Sequence, residues 1–313
     1  SSGLLFAQMA GEHNFPAINT TVEWSGSYSQ AKQEEPDTRQ VQLVDAADAG
    51  TPGIYELYRS NDIRRYWIDH SDWVGEGSAA ITYKFKQWTG INSKFKAGAG
   101  LHVRERESSK RTFQWQNNGS VGWDNPRERI EWYFGWPFIV GTTSPADAFH
   151  YYLQEITTSG DKYSGSLNVI NAFGQLDIPI VKQLRLVGGY RYEYSIMNLK
   201  TFDTTYLINR DLYAAPLNEN NHLGGVSITA TPIDEINIRL AFSRTLGRPD
   251  FRELSPTIYS LLSREVYIKG NKYLKQTDIY NYDFRFEWFP SSNEIVALSG
   301  FYKYLIKPIE MQI

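Results

Sequence analysis

Between Ile236 and Ser243 apolar and polar residues strictly alternate. Ile236, Ile238, Leu240 and Phe242 fall on one side, and Asn237, Arg239, Ala241 and Ser243 on the other. The same period returns where Tyr280, Tyr282, Phe284, Phe286 and Trp288 alternate with Asn281, Asp283, Arg285 and Glu287. Leu184, Leu186, Tyr190, Tyr192 and Tyr194 alternate with Arg185, Arg191 and Glu193, and Phe95, Ala97, Ala99, Leu101 and Val103 with Lys96, His102, Arg104 and Arg106. A repeat of two residues places successive side chains on opposite faces of a strand, so these segments predict strands that are apolar on one face only. Ten strands are predicted, at about 4–13, 19–33, 77–88, 93–108, 162–179, 183–202, 221–232, 235–247, 276–290 and 293–307.

Their connections alternate in length. Short turns fall near 14–18, 88–93, 179–183, 232–235 and 289–294, two of them carrying Thr231-Pro232-Ile233-Asp234 and Pro290-Ser291-Ser292-Asn293, residues suited to tight turns. Long polar excursions lie between, near 34–76, 109–161, 203–220 and 248–275. Short turns at one end and long loops at the other describe an all-β, antiparallel transmembrane β-barrel segment with short periplasmic turns and long extracellular loops. A β-sandwich also alternates, but its strands usually run about 5–6 residues, whereas Thr20–Gln33, Lys94–Glu107, Asp161–Ile178 and Leu184–Asp203 run without a breaker until their ends. Gly98, Gly100, Gly188 and Gly189 sit mid-strand, where a wall bends or a neighbour approaches closely.

Composition agrees. The chain is 15% aromatic, yet only 41% hydrophobic overall; alternate apolar positions with aromatics at the membrane interfaces reconcile the two values. No run approaches the roughly 18 apolar residues of a spanning helix. The net charge of −3 offers no basic field for nucleic acid. With no cysteine, disulfides, thiolate nucleophiles and Cys-based metal sites are excluded. Ser1-Ser2-Gly3 opens no secretory signal and Phe301–Ile306 reads as a strand running into the end, so both termini are expected to be internal boundaries of a longer protein.

Four ordered motifs carry a resemblance. Ala241-Phe242-Ser243-Arg244-Thr245-Leu246-Gly247-Arg248-Pro249-Asp250-Phe251-Arg252-Glu253-Leu254-Ser255-Pro256, then Gly270-Asn271-Lys272-Tyr273-Leu274-Lys275, then Asn281–Phe289, then Phe301-Tyr302-Lys303 resemble successive stretches of TonB-dependent outer-membrane receptors. Gly188-Gly189-Tyr190-Arg191-Tyr192-Glu193 is similar to a further strand of that family. The resemblance implies that residues 1–313 are part of one barrel domain, about ten strands of a barrel of about 22 strands closed by a plug. The plug, a TonB-contacting segment and the terminal strands are not recognisable in this chain. It also implies a location in the bacterial outer membrane among its lipids, import of a scarce or large ligand with TonB-transmitted energy, and contact with TonB through the plug region. A small-molecule, glycan or peptide ligand is implied, as is partnership with a surface-exposed lipoprotein; no cofactor and no nucleic acid are. Rival readings are a passive or non-transporting barrel subunit of an envelope assembly, a small outer-membrane barrel protease, and a soluble β-sandwich adhesin.

Candidate chemistry is sparse. Arg104, Arg106, Arg185 and Arg191 on polar faces are suited to attracting an acidic cargo, Arg104, Arg106 and Arg191 being the ligand-binding candidates. The competing reading pairs them with carboxylates such as Glu193, Asp283 or Glu287. Aromatics concentrate in 109–161, where Phe113, Trp115, Trp123, Trp132, Tyr133, Phe134 and Trp136 lie, and Trp123, Trp132, Tyr133 and Trp136 are taken as ligand candidates. The plainer reading is a small core that orders a long loop. The acidic residues of 34–76 read as a solvated face. Arg248 and Pro249 are expected to end a strand, and Gly270 and Asn271 to supply the positive φ of a return turn. Asp69-His70-Ser71-Asp72 is the only local cluster suited to acid–base catalysis, and the histidines show no metal-ligand spacing, so neither an enzyme nor a metal site is expected.

Overall fold

A computed structural model describes residues 1–40, 43–45, 55–57, 64–117, 151–202, 212–214, 216–256, 258–261 and 266–311. Ten long strands dominate: β1 (Ser2–Phe15), β2 (Thr20–Gln40), β3 (Arg64–Lys86), β4 (Asn92–Asn117), β5 (Lys162–Val181), β6 (Leu184–Phe202), β7 (Leu217–Ala230), β8 (Ile236–Gly247), β9 (Thr277–Ser291) and β10 (Glu294–Ile306). They pair antiparallel in chain order, so each strand is bonded to the ones before and after it in sequence. Short strands Tyr151–Glu155 and Leu212–Ala214 add to β4 and β6. One four-residue helix, α1 (Phe251–Leu254), follows β8. No helix among the described residues is long and apolar enough to cross a membrane, which says nothing of strands.

The turn ends of the strands fall where alternation puts them. The opposite ends differ from expectation: β2 continues to Gln40, β3 already begins at Arg64, and β4 continues to Asn117. Much of what reads as loop in 34–76 and 109–161 is therefore strand, and Trp67, Trp73, Phe113 and Trp115 are strand residues. Polar and aromatic cross-strand contacts hold these extensions together. Trp67 meets Phe113 edge-on with centroids 4.9 Å apart, and Arg111 forms a two-pronged ion pair with Glu155. Where β2 bulges between Glu35 and Thr38, Asp37 adopts φ 59° and takes Arg65 at 2.5 Å and Arg39 at 2.9 Å. The Arg65 guanidinium, helped by Arg39 against the effect of burial, holds the Asp37 carboxyl at about 2.

Register divides the sheet into two chemically distinct faces. Met9, Gly26, Gly77, Leu101, Ile170 and Tyr194 form one continuous row across β1 to β6. Leu186, Ile228, Leu240 and Phe284 form another across β6 to β9. Most of these side chains are exposed: Leu101 retains 48% of its surface, Ile170 59% and Leu240 53%. A soluble sheet does not leave such rows uncovered, but lipid is their natural solvent. The opposite face, here the inner face, carries Lys96 paired with Glu23, His102 with Glu76 at 2.8 Å, and Glu287 between Arg239 and Arg285. β1 and β10 are the edges of an open sheet and expose both faces, as Leu4 with Leu5 and Phe301 with Tyr302 show.

Small residues on the inner face admit neighbouring side chains. A Cβ on Gly98 would lie 2.6 Å from the Ala79 carbonyl oxygen and 2.8 Å from the Phe173 ring, and one on Gly100 would meet the Asn171 amide at 2.9 Å. These glycines are kept for close approach, as their position predicts. The two-faced wall also makes an asymmetric prediction for the full-length protein in lipid vesicles. Leu240→Arg, on the exposed apolar row, should cost about 2–4 kcal/mol, whereas Ser227→Arg on the opposite face should cost less than about 1 kcal/mol. Equal costs in denaturant titrations would contradict the assignment of faces.

Candidate functional site

Beyond the apolar rows, β3 and β4 carry charge outward as well: Glu105 alternates with the inner Arg104 and Arg106, and accepts a hydrogen bond from Trp73 at 3.0 Å. An outward carboxylate beside an indole marks the upper boundary of the lipid-compatible band, and the residues above it lie outside that band. At this height Asp72 faces Arg106 directly in register, with Arg104 diagonal to it. Arg104 grips Asp72 through Nε at 3.0 Å and a terminal nitrogen at 2.7 Å, and Arg106 through Nε at 2.9 Å and a terminal nitrogen at 2.5 Å. Burial pushes the Asp72 carboxyl up, but the hydrogen bonds from Arg104 and Arg106 outweigh it and hold the group below its ordinary range. Asp72 therefore stays ionised well into acid.

The same two guanidiniums reach a second carboxylate from far along the chain. Arg106 meets Asp250 at 3.1 Å and Arg104 meets it at 3.6 Å. Asp250 caps α1, accepting from the Arg252 amide at 3.1 Å, while Glu253 returns a side-chain oxygen to the Asp250 amide at 2.8 Å. This reciprocal pair is the capping box that the spacing Asp250…Glu253 encodes. The strap after β8 thus crosses the inner face of β7, β6 and β5 to reach β4.

Apolar packing fixes the strap in place. Phe251 is fully buried and Leu254 nearly so, in a cluster with Tyr163, Met197 and Leu199. Gly165 makes the seat: a Cβ there would lie 2.5 Å from the Phe251 ring. Arg104 and Arg106 cover that ring, 5.3 and 6.0 Å from its centroid. Burying a phenylalanine side chain stabilises by about 1.5–3 kcal/mol, so this ring is the strap's main anchor. Arg248, at the start of the strap, pairs with buried Glu193, which also takes Arg191 at 2.9 Å.

Gly270 and Asn271 behave differently from expectation. Neither adopts positive φ. Gly270 lies against the turn that ends α1, where a Cβ would fall 2.2 Å from the Ser255 oxygen, 2.5 Å from that of Glu253 and 2.8 Å from that of Arg252. The Asn271 amide then donates to the Glu253 carbonyl at 2.7 Å, and its side chain accepts from the Tyr273 amide at 2.9 Å. A close approach of two backbones, rather than a left-handed turn, requires this glycine. Farther along, Gln276 and Asn221 exchange side-chain amide hydrogen bonds at 2.5 and 3.2 Å.

Of the ligand candidates, Arg104 and Arg106 come together at one place, while Arg191 lies lower on β6 with Glu193. Trp123, Trp132, Tyr133 and Trp136 lie outside the described residues. Arg185 pairs with Asp177 at the turn end of the sheet. Alternation puts Asp69 and Ser71 on the outer face and His70 and Asp72 on the inner one, so the four residues do not gather on one face. Sequence reasoning names Asp72 only in the acid–base cluster and Asp250 and Phe251 only within a family-like motif, and misses the bridge they build with Arg104 and Arg106, although the capping box is a readable signal for Asp250. Beside the bridge, a concavity of about 920 Å³ opens among Tyr66, His70, Arg106, Ser108, Lys110 and Tyr163. Burial pulls the Lys110 ammonium down, with Asp161 opposing, and its nitrogen lies 4.6 Å from the centroid of Tyr66. Burial, reinforced by Arg106, also lowers His70, leaving it neutral near neutral pH.

An antiparallel sheet that bonds neighbours in strict order, apolar on one face and charged on the other, defines a transmembrane β-barrel wall. Residues 11–306 match the family described as TonB dependent receptor-like, beta-barrel, and the chain belongs to that family. Among solved structures, the siderophore receptor PiuA from Acinetobacter baumannii aligns with TM-score 0.57 at 13% identity, over 96% of this chain and 40% of its own. The copper transporter OprC aligns with TM-score 0.57 at 14% identity, over 96% and 40%. The ferric-catecholate import receptor Fiu from E. coli K12, in its closed form, aligns with TM-score 0.55 at 11% identity, over 97% and 41%. At these identities the likeness is one of fold, and the chain spans about 40% of the solved receptors' length. No curated protein sequence matches the chain.

The packing predicts how the strap fails. Gly270→Ala should accelerate hydrogen exchange at amides 250–255 and 271 of the full-length protein by roughly a hundredfold, equivalent to about 3 kcal/mol of local stability, with strand amides in 236–247 unchanged. Phe251→Ala should act on the same amides with a local cost of about 3–5 kcal/mol. Native exchange at 250–255 in either variant would contradict the anchoring described here.

Proposed function

We propose that this chain forms part of the barrel wall of a bacterial outer-membrane receptor that imports a scarce or large ligand using energy transmitted by TonB. Membership of the TonB-dependent receptor barrel family across residues 11–306 carries the reading. The exposed apolar rows support the location, since their neighbours in such a membrane are acyl chains. The unpaired edges β1 and β10 continue, on this reading, into further strands of the same barrel, because an uncovered edge of that length invites wrong pairing. The fraction of the solved receptors that the chain spans fits that arrangement.

In this role the chain binds and conducts; it does not catalyse. On this reading the concavity beside Arg106 and Lys110 opens toward the arriving ligand, and its cations suit an anionic solute. The neighbours described as a siderophore receptor, a ferric-catecholate import receptor and a copper transporter make metal chelates the first ligands to test.

Deleting the gene in its native host and measuring uptake of radiolabelled ferric catecholate, ferric citrate and copper chelates tests the proposal. Uptake of at least one should fall to background in the deletion strain and in a strain lacking TonB. Uptake that depends on this protein but survives loss of TonB would instead favour a passive barrel.

A further inference from the structure

Asp250 occupies the Arg104–Arg106 pair in a way that sets it apart from Asp72. Asp72 is the structural partner: its side chain keeps 18% of its surface and takes short contacts between 2.5 and 3.2 Å. Asp250 is the outer partner. Its side chain keeps 41% of its surface, and it contacts only one terminal nitrogen of each arginine, at 3.1 and 3.6 Å. Two guanidiniums against two carboxylates leave the cluster neutral. Without Asp250 it would carry one net positive charge, with a terminal nitrogen of each arginine released and Arg106 lining the concavity that also holds Lys110.

We propose that the Arg104–Arg106 pair is a binding site for a solute carboxylate, and that Asp250 is an internal stand-in for that ligand. The incoming carboxylate takes the terminal nitrogens that Asp250 now holds, and the strap loses its polar tether to β4 while Asp72 keeps both guanidiniums in place. One terminal nitrogen of each arginine faces a different oxygen of Asp250, so the two oxygens of an incoming carboxylate can each accept a charge-assisted hydrogen bond. Phe251 beneath the guanidiniums excludes water from one side and strengthens each contact. Displacement is feasible because the bond exchanged is exposed and long, so an external carboxylate competes with an internal one of similar strength. The inference deepens the receptor reading by naming the chemistry the wall accepts; it rests on that reading only for the ligand's route of entry.

Binding can be measured without transport. Isothermal titration of the purified full-length protein with succinate should give weak binding in the native protein. In Asp250→Ser, which keeps an oxygen to cap α1 but withdraws the carboxylate, affinity should rise at least tenfold. Should Asp250→Ser fail to fold, Asp250→Asn is the substitute, with the same expected direction. Arg104→Gln/Arg106→Gln should abolish the gain when combined with either variant, and neutral succinamide should not bind. Equal affinity in the native protein and the Asp250 variants would overturn the proposal. So would sulfate competing as well as succinate at matched ionic strength, since that reports a general anion field. Failure of TonB-dependent uptake alongside the tenfold gain would overturn the receptor reading and leave the carboxylate site standing.

Discussion

Every backbone amide of a lipid-exposed strand must find its partner in a neighbouring strand, and from that constraint the rest of the molecule follows. In hydrocarbon an unpaired N–H or C=O costs several kcal/mol, so ten strands bond in unbroken antiparallel order. Once the backbone is fixed in this way, side chains have only two directions to point. The outward rows become apolar and the inward rows are left to carry whatever charge the protein needs. The inner ion pairs are a consequence of that division, since charges facing the lumen meet each other rather than lipid.

The strap uses the inner wall as its foundation. Gly165 leaves a seat, Phe251 fills it, and the Arg104–Arg106 pair roofs the ring while reaching Asp72 and Asp250. Each contact joins residues far apart in sequence, and the segment they fix runs across three strands. Apolar burial sets its position; the charges set which side of the wall it reaches. The more exposed of the two carboxylates is also the one carried by the strap.

Alternation makes the lipid-compatible part of each strand legible in the amino-acid sequence alone. Ile236–Phe242 and Tyr280–Trp288 keep their predicted faces because one side of each has to be apolar throughout. The upper parts of β2, β3 and β4 are hidden for the converse reason. Above the lipid band neither side has to be apolar, so Arg64-Arg65-Tyr66-Trp67-Ile68-Asp69-His70 shows no period of two and reads as loop. The bridge is equally hidden: Asp72 and Arg106 are separated by 34 residues, and Arg106 and Asp250 by 144. Register brings the first pair together, and the packing of the strap the second. Arg248, Pro249, Gly270 and Asn271 are marked by family resemblance. The reason for Gly270 is nevertheless not the expected turn, because a backbone approaching from Ser255 leaves no trace in local sequence.

The two faces of the wall underlie every other conclusion about this protein. The chain contributes no cysteine of its own, so single cysteines introduced one at a time through 236–247 of the full-length protein, with any native cysteine outside this chain replaced by serine, carry a nitroxide label without background. In lipid vesicles, collision rates with oxygen and with a water-soluble nickel chelate should oscillate with a period of two. Positions 236, 238, 240 and 242 should favour oxygen, and 237, 239, 241 and 243 the chelate. Uniform access of the chelate to both sets would contradict a membrane wall with one lipid-facing side.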